Sequence, residues 1–247
     1  MNDFPIAGLL PRLAELLEQS PRLVLEAPPG AGKTTQVPLA LLDAPWLHGQ
    51  RIIMLEPRRL AARAAATFMA QQRGEAVGAS IGYRIRFESR VSAATRIEVV
   101  TEGLFTRMIQ GDPGLAGIGA VIFDEFHERH LHGDLGAAMA LDVQASLRPD
   151  LRLVGMSSTL DAERIAQWLD APRLSSAGRS YPVSIEHPPA RAQESVQAQL
   201  LRLVPEALAS SDGDMLVFLP GKREIERARQ ALRAQCARSV EVLALHG

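Results

Sequence analysis

The sequence predicts an α/β fold, in which a parallel β-sheet is covered by helices on both faces. Short apolar segments alternate with helical patterns along the chain, as in repeated strand–helix units. These segments are rich in Val, Ile and Leu and contain no regular polar positions, which is typical of strands buried on both faces. Polar residues follow each segment directly, and ligands of such sheets bind beyond the carboxyl ends of the strands. We therefore expect one site along one edge of the sheet.

Five strands and three helices are predicted in the first part of the chain. The strands are Leu23–Leu25, Ile52–Leu55, Ile97–Val100, Val121–Phe123 and Leu151–Gly155. The helices are Leu60–Gln72, Gly133–Leu147 and Ala162–Leu169. The polar clusters that follow the strands, in order, are Gly30–Thr35, Glu56–Arg59, Thr101–Gly103, Asp124–His127 and Ser157–Thr159.

The composition of the chain changes after about residue 172. We expect residues 1–172 to form a complete domain, 173–190 to be a linker rich in Ser, Pro and Gly, and 191–247 to begin a second domain. In this last part the pattern predicts helices over 194–209 and 223–235 and strands over 215–220 and 240–247. So few elements cannot enclose a core of their own, so the second domain is expected to be incomplete.

The overall composition is that of an ordinary globular protein, with 247 residues, 47% hydrophobic and 22% charged. No apolar segment approaches the ~20 residues of a membrane span, and the N-terminus lacks the pattern of a signal peptide. The single cysteine, Cys236, excludes an internal disulfide and favours a cytoplasmic location. Because the net charge is −1, nucleic-acid binding would need a local basic surface.

Residues 23–36, LVLEAPPGAGKTTQ, predict a phosphate-binding loop between a buried strand and a helix. Glycines let several backbone N–H groups converge on phosphate oxygens, and the helix adds the positive end of its dipole. Lys33, one of two lysines in the chain, would reach the β- and γ-phosphates, and the Thr34 hydroxyl would ligate Mg²⁺. Ala27 stands where the usual pattern opens with glycine. The alternative is a simple Gly/Pro turn before a helix. The expected nucleotide-binding residues are Pro29, Gly30, Ala31, Gly32, Lys33, Thr34 and Thr35.

The stretch VIFDEFHERH, residues 121–130, admits three interpretations. In the first, Asp124 ends a buried strand and holds Mg²⁺, while Glu125 orients or deprotonates the attacking water. In the second, His130, His132 and Asp134 imitate a zinc signature, although no further ligand completes it. In the third, the acidic pair is the solvated end of a core strand. The phosphate loop upstream favours the first.

Taken in order, these motifs resemble those of superfamily 2 helicases and, among them, the DEAH-box RNA helicases. The matching segments are APPGAGKTTQVPL, LEPRRLAAR, the stretch around Ile81–Glu88, TEGLFTRM, DEFHER, SST at 157–159, GRSYPV and MLVFLPGKREI. DEFHER carries Phe126 where the family usually has Ala. This variant, together with LEPRRLAAR, points to the bacterial HrpB branch.

The resemblance implies two RecA-like domains that use ATP and Mg²⁺ to move on RNA. The RNA is expected to be single-stranded and bound without sequence selectivity, and DNA is not excluded. Lys33, Thr34, Asp124 and Glu125 would have the roles given above. His127, Ser157 and Thr159 would couple the nucleotide state to domain movement, and Arg58, Arg59 and Thr101 would contact the nucleic-acid backbone.

The two arginines of this set, and also Phe68, can be interpreted in more than one way. Arginines and hydroxyls at strand ends suit phosphate contacts, although Arg58 and Arg59 also fit a solvated helix start. Phe68 lies near the place where relatives carry an arginine that stacks on adenine, so its ring would either stack on the base or belong to the core.

The resemblance therefore predicts an ATP-dependent RNA helicase. The chain ends at Gly247, before the family's motifs V and VI, so we expect it to bind nucleotide, to hydrolyse ATP poorly and not to unwind. One alternative is a P-loop ATPase or kinase without a nucleic-acid role. Another is a binding module for RNA or protein without turnover.

Overall fold

The structure is a computed structural model that describes residues 4–158, 161–176, 182–189, 191–210, 213–237 and 239–246. The strands are β1 (Arg22–Glu26), β2 (Arg51–Glu56), β3 (Ile81–Ile85), β4 (Glu88–Arg90), β5 (Ile97–Thr101), β6 (Ile118–Phe123), β7 (Arg152–Ser157) and β8 (Arg173–Ser175). The helices are α1 (Leu10–Gln19), α2 (Lys33–Leu41), α3 (Arg59–Gln72), α4 (Glu102–Gly111), α5 (Leu131–Ser146), α6 (Ala162–Leu169), α7 (Val196–Ser210) and α8 (Lys222–Gln235).

The strands form one eight-stranded sheet in the order β4-β3-β5-β2-β6-β7-β1-β8. Every pairing is parallel except that between β3 and β4, which form an antiparallel hairpin at one edge. The predicted α/β fold with a parallel sheet is confirmed, and its five predicted strands are β1, β2, β5, β6 and β7. Because these strands lie next to one another, their carboxyl ends form one continuous edge.

The sheet is buried on both faces because helices cover each of them. Successive residues of a strand point to opposite faces, so each strand contributes to both cores. In β2, Ile52 and Met54 join the cluster that packs against α1, α2 and α3. Ile53 and Leu55 join the other cluster, which packs against α4, α5 and α6. This division of one strand between two cores explains why its sequence is apolar without alternation.

The chain divides into two compact units, residues 1–181 and 182–247. The first contains the whole sheet. Arg173–Ser175, which the sequence places in the linker, pair with β1 as strand β8. The predicted inter-domain strand at GRSYPV lies mostly outside the described residues.

In the second unit, α7 and α8 pack through a small cluster formed by Leu200, Val204, Ala228 and Leu232. Both helices were predicted. The strands predicted over 215–220 and 240–247 are not assigned within 215–220 and 240–246, the described parts of those segments. A strand is defined by hydrogen bonds to a neighbouring strand, and these apolar segments find no such partner within the described part of the unit. None of the helices within the described residues is long and apolar enough to cross a bilayer.

Candidate active site

The loop between β1 and α2 follows a path that requires glycine at two positions. Gly30 and Gly32 have φ angles of +76° and +94°, in the left-handed region that other residues rarely adopt. The loop is attached to the sheet at its first residue, where Ala27 N–H donates to the Ser157 carbonyl at the end of β7, 3.1 Å away. Ala27 is fully buried, so the alanine that departs from the usual pattern serves as a packed anchor.

Lys33, the first residue of α2, is buried, with 4% of its surface exposed. Its ammonium group donates to the Ala27 and Pro28 carbonyls of the same loop. Burial lowers the Lys33 pKa, and the nearby carboxylates of Glu125 and Asp124 oppose that change. The structure therefore places the cation inside the loop and beside the acidic pair.

Thr34 and Asp124 are in direct contact, although 90 residues separate them in the sequence. The Thr34 hydroxyl donates to Asp124 Oδ2 over 2.5 Å, and the Glu125 N–H donates to Asp124 Oδ1 over 2.9 Å. Asp124 is 3% exposed and follows β6 directly. Both of its oxygens are therefore held, and the carboxylate faces the start of α2.

Glu56, at the end of β2, is a further acidic group that the sequence placed in a strand-end cluster without giving it a role. It is buried beside Asp124, because β2 and β6 are neighbours in the sheet. Burial and the charge and hydrogen bond of Asp124 raise the pKa of Glu56 to about 10. The raised pKa favours the protonated form of Glu56, whose O–H can donate to Asp124.

Glu125 is less enclosed than Asp124, with one third of its side chain exposed. Its backbone is left-handed, with φ of +47°, a conformation that costs free energy for a residue with a side chain. Burial, followed by the charge of Asp124, raises the Glu125 pKa. A carboxylate with a raised pKa is a better proton acceptor than an ordinary one.

His127 connects the acidic pair to the end of β7. Its Nε2 lies 3.4 Å from Glu125 Oε2 and 3.0 Å from the Ser158 hydroxyl, and Ser158 N–H points at Nδ1 from 3.4 Å. The sequence predicted coupling through Ser157 and Thr159. Ser157 is the buried last residue of β7, Thr159 lies outside the described residues, and the contact with His127 is made by the residue between them.

The expected nucleic-acid contacts lie at the ends of neighbouring strands β2 and β5. Arg58 and Arg59 are exposed at the start of α3, and Thr101 ends β5 opposite Glu56 of β2. The Arg58 guanidinium is paired with Glu128 at 2.8 Å. Arg58 thus contacts the segment that follows the acidic pair.

Two residues of the zinc interpretation, Asp134 and His130, are engaged in other contacts. Asp134 accepts hydrogen bonds from Arg129 on both of its oxygens, at 3.0 and 3.1 Å. His130 lies 3.4 Å from Glu128 and 3.7 Å from Glu102. Among the described residues no group of three or more His, Cys, Asp or Glu side chains is arranged to hold a metal ion. These contacts give the zinc interpretation no support.

The comparisons with known proteins agree with this geometry. Residues 12–168 match the DEAD/DEAH box helicase family. The chain belongs to that family. It is 46% identical to the ATP-dependent RNA helicase HrpB of Escherichia coli over 248 aligned positions, which cover 100% of this chain and 30% of HrpB. It is 33% identical to the HrpA homolog of Haemophilus influenzae, covering 99% of this chain and 19% of that protein.

Solved helicase structures show the same fold. A crystal structure of the E. coli DEAH/RHA helicase HrpB superposes with a TM-score of 0.89 over 95% of this chain and 30% of that chain. A second, of the E. coli DExH-box NTPase HrpB, gives 0.80 over 96% of this chain and 30% of that chain. The predicted resemblance to DEAH-box helicases of the HrpB type is therefore confirmed. This helicase chain spans 30% or less of the length of these relatives.

The sequence did not predict the contacts of two aromatic residues, Phe126 and Phe68. Phe126 is buried and packs on Phe123 of β6 and Trp168 of α6, with ring centroids 5.5 and 6.0 Å away. Phe68 is 39% exposed and makes an edge contact with Phe4 at 6.4 Å. Phe68 thus lies at the surface and is partly covered by Phe4.

Proposed function

We propose that this chain binds ATP at the loop between β1 and α2 and that it forms part of an ATP-dependent RNA helicase. The observation that supports this proposal most strongly is the hydrogen bond between Thr34 and Asp124. It joins the phosphate loop to the acidic segment that follows β6. P-loop NTPases use a loop hydroxyl and a strand-end carboxylate in this way to hold Mg²⁺.

Thr34 and Asp124 also fit the divalent cation that this chemistry needs. Mg²⁺ prefers hard oxygen ligands and is usually held by one or two protein groups, together with water and substrate phosphates. A hydroxyl and a carboxylate oxygen 2.5 Å apart match that donor set. When bound, the ion would neutralise charge on the β- and γ-phosphate oxygens.

Lys33 and Glu125 would supply the remaining chemistry. The Lys33 ammonium would exchange the loop carbonyls that it now contacts for β- and γ-phosphate oxygens. Glu125 would accept a proton from the attacking water, whose oxygen would then displace ADP from the γ-phosphorus. Its raised pKa suits this role, and its partial exposure leaves room for water.

The contact between His127 and Ser158 would transmit the nucleotide state away from the pocket. His127 lies between Glu125 and the segment after β7, so a movement of Glu125 would shift that segment through His127. Ser157 and Thr159 remain candidates for the same coupling. We include Ser158 because it makes the contact that the structure describes.

RNA is proposed to bind along the ends of β2 and β5. Arg58, Arg59 and Thr101 would contact phosphates, and phosphate contacts position a strand without selecting its sequence. A single strand is the proposed ligand, because its backbone can lie along one edge of a sheet. Binding by Arg58 would require it to share or release Glu128.

Nucleotide binding can be tested on the 247-residue chain itself. A fluorescent ATP analogue is titrated with and without Mg²⁺ against the wild type and Thr34→Ala. We expect Mg²⁺ to tighten binding to the wild type but to have little effect on the variant, which lacks the hydroxyl ligand. Thr67→Ala is the matched control, since the exposed Thr67 hydroxyl bonds only within α3, to the Arg63 carbonyl. No binding by the wild type, or equal Mg²⁺ dependence in both proteins, would refute the proposed site.

The RNA part of the proposal needs a chimera, in which this chain replaces the corresponding segment of E. coli HrpB. Single-stranded RNA should stimulate ATP hydrolysis by the chimera. The double variant Arg58→Ala/Arg59→Ala should need more RNA for half-maximal stimulation, and increasingly so at higher salt. A rate of ATP hydrolysis that does not change when RNA is added would favour an ATPase without a nucleic-acid role.

A further inference from the structure

Residues 27–32 of the phosphate loop carry no long side chain, as they are Ala, Pro, Pro, Gly, Ala and Gly. Lys33 holds the start of the loop through the Ala27 and Pro28 carbonyls, so residues 30–32 depend on their backbone and on neighbouring segments. Glycine also has the largest conformational freedom to lose on ordering. Whatever orders this loop before nucleotide arrives will therefore strengthen nucleotide binding.

The segment before α1 packs directly against this loop. Ile6 is fully buried in the core, and its N–H donates to the Ala31 carbonyl over 3.2 Å. The ring of Phe4 covers Gly32 so closely that a Cβ added there would lie 2.8 Å from Phe4 Cδ1 and 2.9 Å from Cγ. Backbone and side chain of the same short segment thus contact two consecutive loop residues.

Phe4 is itself held in place from two sides. The Ala7 N–H donates to the Phe4 carbonyl over 2.9 Å, which ties it to the turn that leads into α1. Its ring meets the edge of Phe68 on α3, with centroids 6.4 Å apart. The same side of α3 reaches α2 through Gln72, which accepts a hydrogen bond from Gln36 at 3.0 Å. The ring is therefore a fixed cover over Gly32.

We propose that Phe4 is a positioning residue for the phosphate loop, which holds Gly32 in its left-handed conformation and so prepares the loop for the triphosphate. The proposal rests on nucleotide binding at this loop, as proposed above. Phe4 acts through Gly32 and need not touch the nucleotide. Its removal should weaken binding because the free loop gains conformations that it must lose again when ATP binds.

The test compares Phe4→Ala and Phe4→Leu with the wild type in the 247-residue chain. Titration with the fluorescent ATP analogue should show the dissociation constant rising about three- to tenfold in Phe4→Ala, a range typical of lost preorganisation. Phe4→Leu keeps an apolar cover and should bind close to the wild type. Phe218→Ala also removes a phenylalanine ring, but one that is 86% exposed in the second unit, and should change nothing.

Hydrogen exchange without nucleotide gives a second readout that a general loss of stability would not reproduce. Phe4→Ala should speed exchange at residues 30–35 while the amides of β2 and β6 stay protected. Unchanged affinity together with unchanged exchange in Phe4→Ala would overturn the inference. A second result would also overturn it. If exchange became faster throughout the sheet in Phe4→Ala while Phe4→Leu kept wild-type binding and exchange, Phe4 would be a core residue only. If the wild type fails to bind ATP, the proposed function fails, while the exchange experiment still decides whether Phe4 orders the loop.

Discussion

At the scale of single residues, the pocket is organised around Asp124. Thr34 and the Glu125 N–H hold its two oxygens, and Glu56 lies against it. Three carboxyl groups can share this space because the raised pKa of Glu56 favours its protonated form, which does not repel the other two. The pocket thus fixes the orientation of the proposed metal ligand.

Glu125→Gln should retain nucleotide binding and lose turnover. The amide keeps the shape of the side chain but cannot accept the proton of the attacking water, and general-base catalysis contributes about 10²–10⁴-fold. In the HrpB chimera, the rate of ATP hydrolysis should fall by at least about 10²-fold, while the affinity for the ATP analogue is maintained or increased. Glu163→Gln, an exposed change on α6, is the control. Hydrolysis that persists in Glu125→Gln would assign the proton acceptor to another group.

The residues of this pocket differ in how readily the sequence predicts them. Lys33, Thr34 and Asp124 stand in motifs whose spacing indicates their roles. Glu56 and Ser158 do not, because their importance depends on which strands are neighbours. The order β2-β6-β7 brings them to Asp124 and His127, and no local pattern encodes that order.

At the scale of elements, the connection between β6 and α6 depends on Phe126. Its buried ring lies between Phe123 and Trp168. The residue that differs from the usual DEAH motif thus fills space between the acidic segment and α6. Phe126→Ala should lower the free energy of unfolding by about 3–5 kcal/mol, the usual cost of removing a buried Phe ring. Chemical denaturation measures this loss. Phe87→Ala, at a ring that is 90% exposed, should cost far less, and equal losses in the two variants would show that Phe126 is not a packing residue.

A second element-scale contact fixes the end of α5 to the sheet. The Arg148 guanidinium donates to the carbonyls of Gly114, Leu115 and Ile118, before and at the start of β6, and binds both oxygens of Asp150. The Arg148 hydrogen bond lowers the Asp150 pKa below its ordinary value of 3.8. The pair therefore joins α5, β6 and the entry to β7.

This contact predicts a pH-dependent stability. Because the folded pKa of Asp150 is lowered, its contribution is fully present above the unfolded pKa and is lost as the pH falls through the folded pKa. Asp150→Asn should therefore be less stable than the wild type at pH 7, by less than about 1 kcal/mol because the Asp150 side chain is 58% exposed. The difference should shrink as the pH falls through the folded pKa. Urea denaturation across this range measures it, with Asp43→Asn as the exposed control. A difference that does not change with pH would contradict the proposed ionic contribution.

The central elements were predictable because burial on both faces leaves a clear apolar signal, as in β1, β2 and β6. The inner strand β3 and the edge strands β4 and β8 were not predicted. β4 and β8 have three residues each, are mostly exposed and carry Arg and Ser, so their sequences look like loops. They become strands only because a neighbouring strand offers free backbone groups.

At the scale of the whole molecule, the two units differ in how completely they bury their apolar residues. Both large core clusters are drawn from the first unit, within residues 4–174. The second unit exposes large apolar side chains, among them Phe218 at 86% and Leu245 at 71%. The described residues of the candidate site, from the phosphate loop to Ser158, also lie in the first unit.

A fragment of residues 1–176 should therefore fold and bind nucleotide without the second unit. It retains β8, which must be kept because it pairs with β1, the strand that leads into the phosphate loop. We expect one cooperative unfolding transition by circular dichroism and an affinity for the ATP analogue in the presence of Mg²⁺ equal to that of the 247-residue chain. A fragment that ends at residue 172 removes β8 and should be less stable, since the Glu26 end of β1 then pairs only with β7. Loss of folding in the 1–176 fragment would show that the first unit needs the second for stability. Normal folding with lost binding would instead show that the second unit contributes to the nucleotide site.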